Sequence, residues 1–272
     1  MESPKLKDGT DKVIERFLAE KLRKTGAKGY VLGVSGGIDS AVVLHLAVNA
    51  VGKDRVLGLL MPEKDSSKED MMDAEELCRW VGVRFEVLDI SGPVEAFRKT
   101  LGGRPDRKAL ANIKARCRMV LLYHHAAAMS RLVLGTSNKS ELLVGYFTKH
   151  GDGGADLEPI GDLYKTEVRA LARVLNIPDK VIKKAPSAGL WKGQTDEGEM
   201  GITYDRLDAI LLGIEQGLPD DDVVERAGSS EEEVERVRRM VRLSSHKRKS
   251  PPAVKVGLRT PGLDWREGDE DV

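Results

Sequence analysis

Two cysteines in 272 residues, Cys78 and Cys117, leave no basis for a disulfide framework, and without a C-x-x-C partner they leave none for a zinc site. Both fall in helical patterns, which fits buried thiols in a reducing compartment. No charge of one sign is in excess. The 44 Lys and Arg residues balance 44 Asp and Glu, so no overall basic field points to nucleic acid, and any positive site must be local. No apolar run approaches bilayer-spanning length, and residues 1–12 are charged rather than signal-like, so we expect no membrane partner and a cytoplasmic location. Glutamine occurs only as Gln194 and Gln216 and asparagine only at 49, 112, 138 and 176, while 32% of the chain is charged, a composition associated with thermophiles. Two common nucleotide signatures are missing as well: the Gly-Lys-Ser/Thr ending of a Walker A loop and the G-x-G-x-x-G fingerprint.

What is present is an alternation of helical and strand patterns through the first two thirds of the chain. It predicts an α/β fold, a doubly wound, mostly parallel sheet flanked by helices, followed by a helical C-terminal part over 203–244. Residues 1–250 are expected to form a single domain and 251–272 a Pro- and charge-rich tail. Thr10 or Asp11 caps a first helix with Val13, Ile14, Phe17, Leu18 and Leu22 inward. Strands are expected at 30–34, 56–61, 83–90 and 132–134, four or five in all. A helix after 67 turns Met71, Met72, Leu77, Cys78 and Val81 inward, and a long helix covers 108–129. The glycine-rich segment 185–201 has the composition of a mobile lid.

The run Gly33, Val34, Ser35, Gly36, Gly37, Ile38, Asp39, Ser40 joins the first strand to an apolar helix. Unpaired amides and the positive helix end favour an anion there, and Gly36 and Gly37 leave no Cβ to hold phosphate oxygens away. A carboxylate beside a phosphate repels it unless a cation lies between, so Asp39 suggests Mg2+. The turn at 135–141 repeats this arrangement at the same end of the sheet, so both turns should border one crevice, with Glu141 in reach of the same metal.

S-G-G-x-D-S resembles the loop of the ATP pyrophosphatase superfamily, which splits ATP between its α and β phosphates. Residues 145–159, reading G-Y-F-T-K-H-G-D-G-G-A-D-L-E-P, resemble the corresponding loop of ammonia-dependent NAD synthetases. Further matches lie at 115–119, 163–166, 186–190, 194–197 and 245–248. Bacterial members usually read G-T-D-H-A-A-E where this chain has G-T-S-N-K-S-E at 135–141, and the variant is more similar to archaeal members. The resemblance implies a reaction in which the nicotinate carboxylate of deamido-NAD is adenylated by ATP, pyrophosphate leaves, and ammonia displaces AMP. It implies that residues 33–40 bind ATP together with Thr136, Lys165 and Ser187, and that Asp39 and Glu141 hold Mg2+. It further implies that Arg116, Lys149, Asp156, His246 and Lys247 bind deamido-NAD, and that the protein is a homodimer. Asp39, Lys165 and Asp156 are the candidate catalytic residues, Asp156 as a possible acceptor of the ammonium proton. No glutaminase segment is recognisable, so free ammonia is the expected donor.

Blander alternatives accompany several of these residues. Lys114, Arg116 and Arg118 could form a solvated helix face, His124 and His125 read as packing residues, and Trp191 is either an aromatic cover or a hydrophobic latch. Two rival functions also remain at this stage. Another ATP pyrophosphatase, an amide ligase or a tRNA-modifying enzyme, would share the first loop but not the G-D-G-G-A-D segment. A helix-turn-helix DNA-binding module over 221–242 has suitable spacing, but Glu231, Glu232, Glu233 and Glu235 crowd the start of its second helix.

Overall fold

In the computed structural model, residues 3–102, 105–191 and 193–261 are described. The remainder of the expected tail, 262–272, lies outside them. Four short parallel strands, β1 (Tyr30–Gly33), β2 (Val56–Leu60), β3 (Arg84–Val87) and β4 (Leu132–Leu134), lie in the order β3-β2-β1-β4. Side chains alternate across this sheet as the strand period requires. Tyr30 and Leu32 enter one apolar layer with α1 (Thr10–Thr25), α2 (Ile38–Val51) and α3 (Lys68–Val81). Val31, Leu57, Leu59 and Val133 enter the opposite layer with α4 (Ser91–Thr100) and α5 (Arg107–Met129). The chain therefore winds one way from β1 to β3 and the other way to β4. The reversal falls between β1 and β4, where Leu32 pairs with Leu134 and the turns that follow leave side by side.

Beyond the sheet come α6 (Lys139–Val144), α7 (Lys165–Val174) and two short helices, α8 (Asp179–Ile182) and α9 (Asp196–Met200). Then α10 (Tyr204–Glu215), α11 (Asp220–Ala227) and α12 (Glu231–Leu243) enclose a separate apolar cluster built on Tyr204, Leu207, Ile210 and Val237. This cluster packs against Val144 of α6, which ties the C-terminal helices to one wall of the crevice. Among the described residues no helix is long and apolar enough to cross a membrane.

Several expectations change. The third strand ends at Val87 rather than 90, because the Asp89 carboxylate accepts from the Ser91 amide at 2.7 Å and starts α4. That helix was not foreseen, although Pro93 is well suited to a first helical turn. In α1 only Ile14, Leu18 and Leu22 are buried, while Val13 and Phe17 face outward, and Met72 of α3 does likewise. Nor do Thr10 and Asp11 cap α1, since Gly9 holds the N-cap position and the Thr10 hydroxyl donates back to the Lys7 carbonyl. His124 is exposed rather than packed, whereas His125 is half-buried against the Leu121 carbonyl. Residues 251–258 are exposed and carry no regular structure.

Candidate active site

The first turn follows β1 with Gly36 at φ 78°, and a Cβ there would stand 2.6 Å from the Asp70 carbonyl of α3. Glycine is thus demanded by both backbone angle and space. The Ser35 hydroxyl accepts from the Gly37 amide at 3.2 Å and lies 3.2 Å from the Ser40 hydroxyl, which closes the loop on itself. No side chain caps α2, so its first amides remain available to an anion. Residues 33–35 and 37–40 line a cleft of about 770 Å³, together with Thr136, Glu141, Lys165 and Ser187.

At the floor of this cleft Lys165 is 1% exposed, and its Nζ lies 2.5 Å from Asp39 Oδ2 and 3.2 Å from Glu141 Oε1. Burial disfavours the ammonium, but Asp39 and Glu141 outweigh it and hold the lysine above its ordinary pKa. Burial pushes the Glu141 carboxyl up, and Lys165 only partly offsets that. Asn138 caps α6 in a reciprocal capping box with Glu141 while its Nδ2 donates to Asp39 Oδ1 at 3.0 Å. The Tyr204 hydroxyl lies 3.1 Å from Glu141 Oε1 and 3.2 Å from Asp196 Oδ2. Behind Lys165, its backbone amide donates to Ser140 Oγ, whose hydroxyl donates to Asp208 Oδ1 at 2.5 Å, and Asp208 also accepts from the Thr166 amide. Two carboxylates thus contact one ammonium, with Asp196 behind Tyr204, leaving a surplus of negative charge beside an anion cradle. A hard cation with phosphate oxygens would satisfy both.

A second wall is basic. Arg116, Lys149, His246 and Lys247 all line the cleft, and Lys108, which sequence reading passed over, lines it too. Much of this wall is stapled by its own side chains: Lys247 Nζ donates to the Gly145 and Phe147 carbonyls, and Lys149 Nζ to the His246 carbonyl. Burial pulls the Lys247 ammonium down. Arg116 is exposed, as a ligand-facing residue must be, but its neighbours do not form a solvated face. Lys114 is buried with Glu63 at 2.8 Å, and Arg118 is half-buried and donates to the Met61 carbonyl. Asp156 stands outside the cleft lining. Its Oδ2 accepts from the Val133 amide at 2.7 Å and its Oδ1 from the Tyr123 hydroxyl at 3.2 Å.

The whole 185–191 segment lines the cleft, Trp191 included, and much of it is exposed to solvent. Gln194 and Asp196 fasten its far side by accepting from the Leu190 and Ala188 amides. The inward roles of Asn138, Asp196 and Tyr204 were not predicted from sequence; for Asn138 the N-cap position before an acid three residues on was the available signal.

Glu158 carries a pH dependence. Its carboxylate lies against Gly135, where a Cβ would stand 2.3 Å from it, and accepts from the Ser137 amide at 3.2 Å. Burial pushes its pKa from 4.5 to about 8, with the Ser137 amide pulling the other way. An acid protonated more readily in the folded chain contributes stability that is fully present below about 4.5 and is lost as pH rises through about 8. Glu158→Gln should therefore flatten the fall in Tm between those values; parallel Tm profiles for the two proteins would count against it.

Comparison with known proteins places these residues in context. The sequence profile of the NAD synthase family matches residues 11–251. An NH3-dependent NAD(+) synthetase of Thermococcus kodakarensis is 50% identical over 239 residues, covering 88% of this chain and 93% of that protein. Its counterpart in Archaeoglobus fulgidus is 49% identical over 250 residues, covering 90% and 97%. Among solved structures, an NH3-dependent NAD synthetase from Campylobacter jejuni superposes with a TM-score of 0.77 at 34% identity, covering 90% of this chain and 97% of that one. An NMN synthetase from Francisella tularensis superposes with a TM-score of 0.81 at 36% identity, with the same coverage.

Proposed function

The chain belongs to the NAD synthase family, and from that premise we infer its reaction: ATP-dependent amidation of deamido-NAD with ammonia, giving NAD, AMP and pyrophosphate through a nicotinate adenylate. The observation that carries this reading is the buried Lys165, Asp39 and Glu141 centre, set between a glycine-rich anion loop and a basic wall. A carboxylate is a poor acyl donor, and adenylation turns one of its oxygens into a good leaving group. The protein must therefore neutralise triphosphate charge and hold the nicotinate in line with the α phosphate.

We assign residues 33–40, Thr136 and Ser187 to ATP, with the free amides of α2 toward the phosphates. Lys165 is held charged and fixed by its two carboxylates, so it can meet charge developing on the phosphate oxygens without reorganising. Asp39 and Glu141 are assigned to Mg2+ on the chemistry of their oxygens: both line the cleft beside the anion loop, each has one oxygen on Lys165 Nζ, and no group of three or more His, Cys, Asp or Glu able to hold a metal occurs among the described residues, so phosphate oxygens and water would complete the shell. Bound there, the ion would screen the triphosphate from the carboxylates. Arg116, Lys149, His246 and Lys247 are assigned to deamido-NAD. Asp156, with both oxygens engaged, is assigned to positioning that substrate's loop in preference to accepting a proton.

The same reading extends to assembly and place. Phe97 of α4, Leu101 just after it and Val120 of α5 are at least half exposed on one side of the sheet, which supports a homodimer through that face. The free, buried Cys78 and Cys117 support a cytoplasmic location, and residues 1–250 are taken as one unit with 251–272 as its tail.

Purified protein incubated with ATP, Mg2+, deamido-NAD and ammonium should form NAD, AMP and pyrophosphate in equal amounts, and Asp39→Ala should abolish all three. Nicotinate mononucleotide serves as a parallel substrate. Amide formed from the mononucleotide but not from deamido-NAD would overturn the substrate assignment, and pyrophosphate released without any amide would overturn the reaction.

A further inference from the structure

Helix α5 reaches the 185–191 segment at two points, and neither contact belongs to the binding residues described above. The Arg107 guanidinium lies over the Trp191 ring, 4.7 Å from its centroid. Seven residues later, two helical turns along the same face, Lys114 Nζ donates to the Leu190 carbonyl at 3.0 Å. Lys114 is 3% exposed and its ammonium is shared with Glu63 Oε2 at 2.8 Å and Asp65 Oδ2 at 3.4 Å, on the loop that follows β2. One buried cation thereby joins three elements: the loop after β2, helix α5 and the segment that carries Ser187 into the cleft.

A structural ion pair alone would need only Glu63 and Lys114. The Leu190 carbonyl and the Trp191 ring are fixed in addition, and they are adjacent residues of a partly exposed segment that lines the cleft. We propose that Arg107 and Lys114 are positioning residues, a two-point clasp that holds Leu190 and Trp191 over the cleft and keeps water from the acyl-adenylate. This rests on the reaction inferred above. The competing step is simple: water attacks the acyl carbon, the bond from that carbon to the bridging phosphate oxygen breaks, AMP leaves, and deamido-NAD is regenerated with release of a proton. Each such event consumes ATP and forms no NAD. A cover held in place lets ammonia compete on better terms.

The test measures AMP and NAD together at limiting ammonium, with the full-length protein, ATP, Mg2+ and deamido-NAD. Arg107 is exposed, so Arg107→Ala should fold normally, and it should raise the AMP-to-NAD ratio about fivefold, the scale of one lost cation–π contact. Glu63→Gln with Lys114→Gln keeps a hydrogen-bonding pair without burying a lone charge, and should raise the ratio as well. In both variants saturating ammonium should return the ratio toward one. Limited proteolysis within 183–195 should also be faster than in the parent, a readout that does not depend on the reaction. An unchanged ratio in Arg107→Ala, or equal loss of AMP and NAD in both variants, would overturn the clasp. Failure of the parent protein to form NAD would instead strike the inferred reaction, with the proteolysis result still judging the clasp.

Discussion

Lys165→Met should lower NAD formation by about three orders of magnitude, the upper range for loss of one preorganised charge-stabilising donor. The residue has no substitute in its position. Its Nζ lies between Asp39 and Glu141 and over the Tyr204 ring, 4.9 Å from the centroid, with Asp196 adding negative charge nearby. Without the ammonium, negative charge gathers where triphosphate must enter, so adenylation should fail along with amide formation. Pyrophosphate release measured in single turnover distinguishes this from a lesion confined to the ammonia step. Removing one partner of a buried ion cluster also costs about 3–5 kcal/mol, so the variant's melting transition must be recorded beside its activity. Lys165→Arg keeps the charge and should recover folding more than rate, because a guanidinium does not fit a site that meets Nζ at 2.5 Å. Full activity in a folded Lys165→Met protein would remove this centre from the mechanism.

Gly36→Ala should be nearly as severe, for a reason of shape rather than charge. At φ 78° an alanine pays about 1 kcal/mol in the backbone, and its Cβ would lie 2.6 Å from the Asp70 carbonyl, an atom fixed in the first turn of α3. The loop must shift, and the uncapped first amides of α2 move with it, away from the position assigned to the phosphates. An increase in the KM for ATP of about a hundredfold is expected, since small displacements of positioning groups carry such factors. The KM for deamido-NAD should change far less. Equal changes in both would show a general loss of structure instead.

Much of this was legible in the residues. The glycine-rich turn, the alternating elements and the turn at 135–141 are local patterns, and local patterns have sequence signatures. Asn138 illustrates where that legibility ends: its cap position follows from Glu141 three residues on, but its second bond, to Asp39, joins residues 99 apart. Tyr204 and Asp196 reach Glu141 and each other through the packing of α10, which no spacing in the chain announces. Lys114 was obscured differently. In a run of alternating cations it has the pattern of a solvated face, and only partners brought from far along the chain, Glu63 first among them from 51 residues away, give it a reason to be buried. Helix α4 went unassigned, although Pro93 in its first turn was an available signal.

The staples made by Lys247 and Arg248 bear on how the molecule is born. Lys247 grips the carbonyls of Gly145 and Phe147, and Arg248 those of Leu142, Leu143 and Val241, across separations of up to 106 residues. During synthesis from the N-terminus, the glycine-rich loop emerges early and its strands can pair, whereas the opposite wall, held until then by contacts such as Thr148 to Asn112 and Tyr146 to Glu199, gains these staples only after residues 247 and 248 have left the ribosome. A nascent protein arrested before residue 245 would hold the glycine-rich loop while the wall opposite still lacked the Lys247 and Arg248 staples.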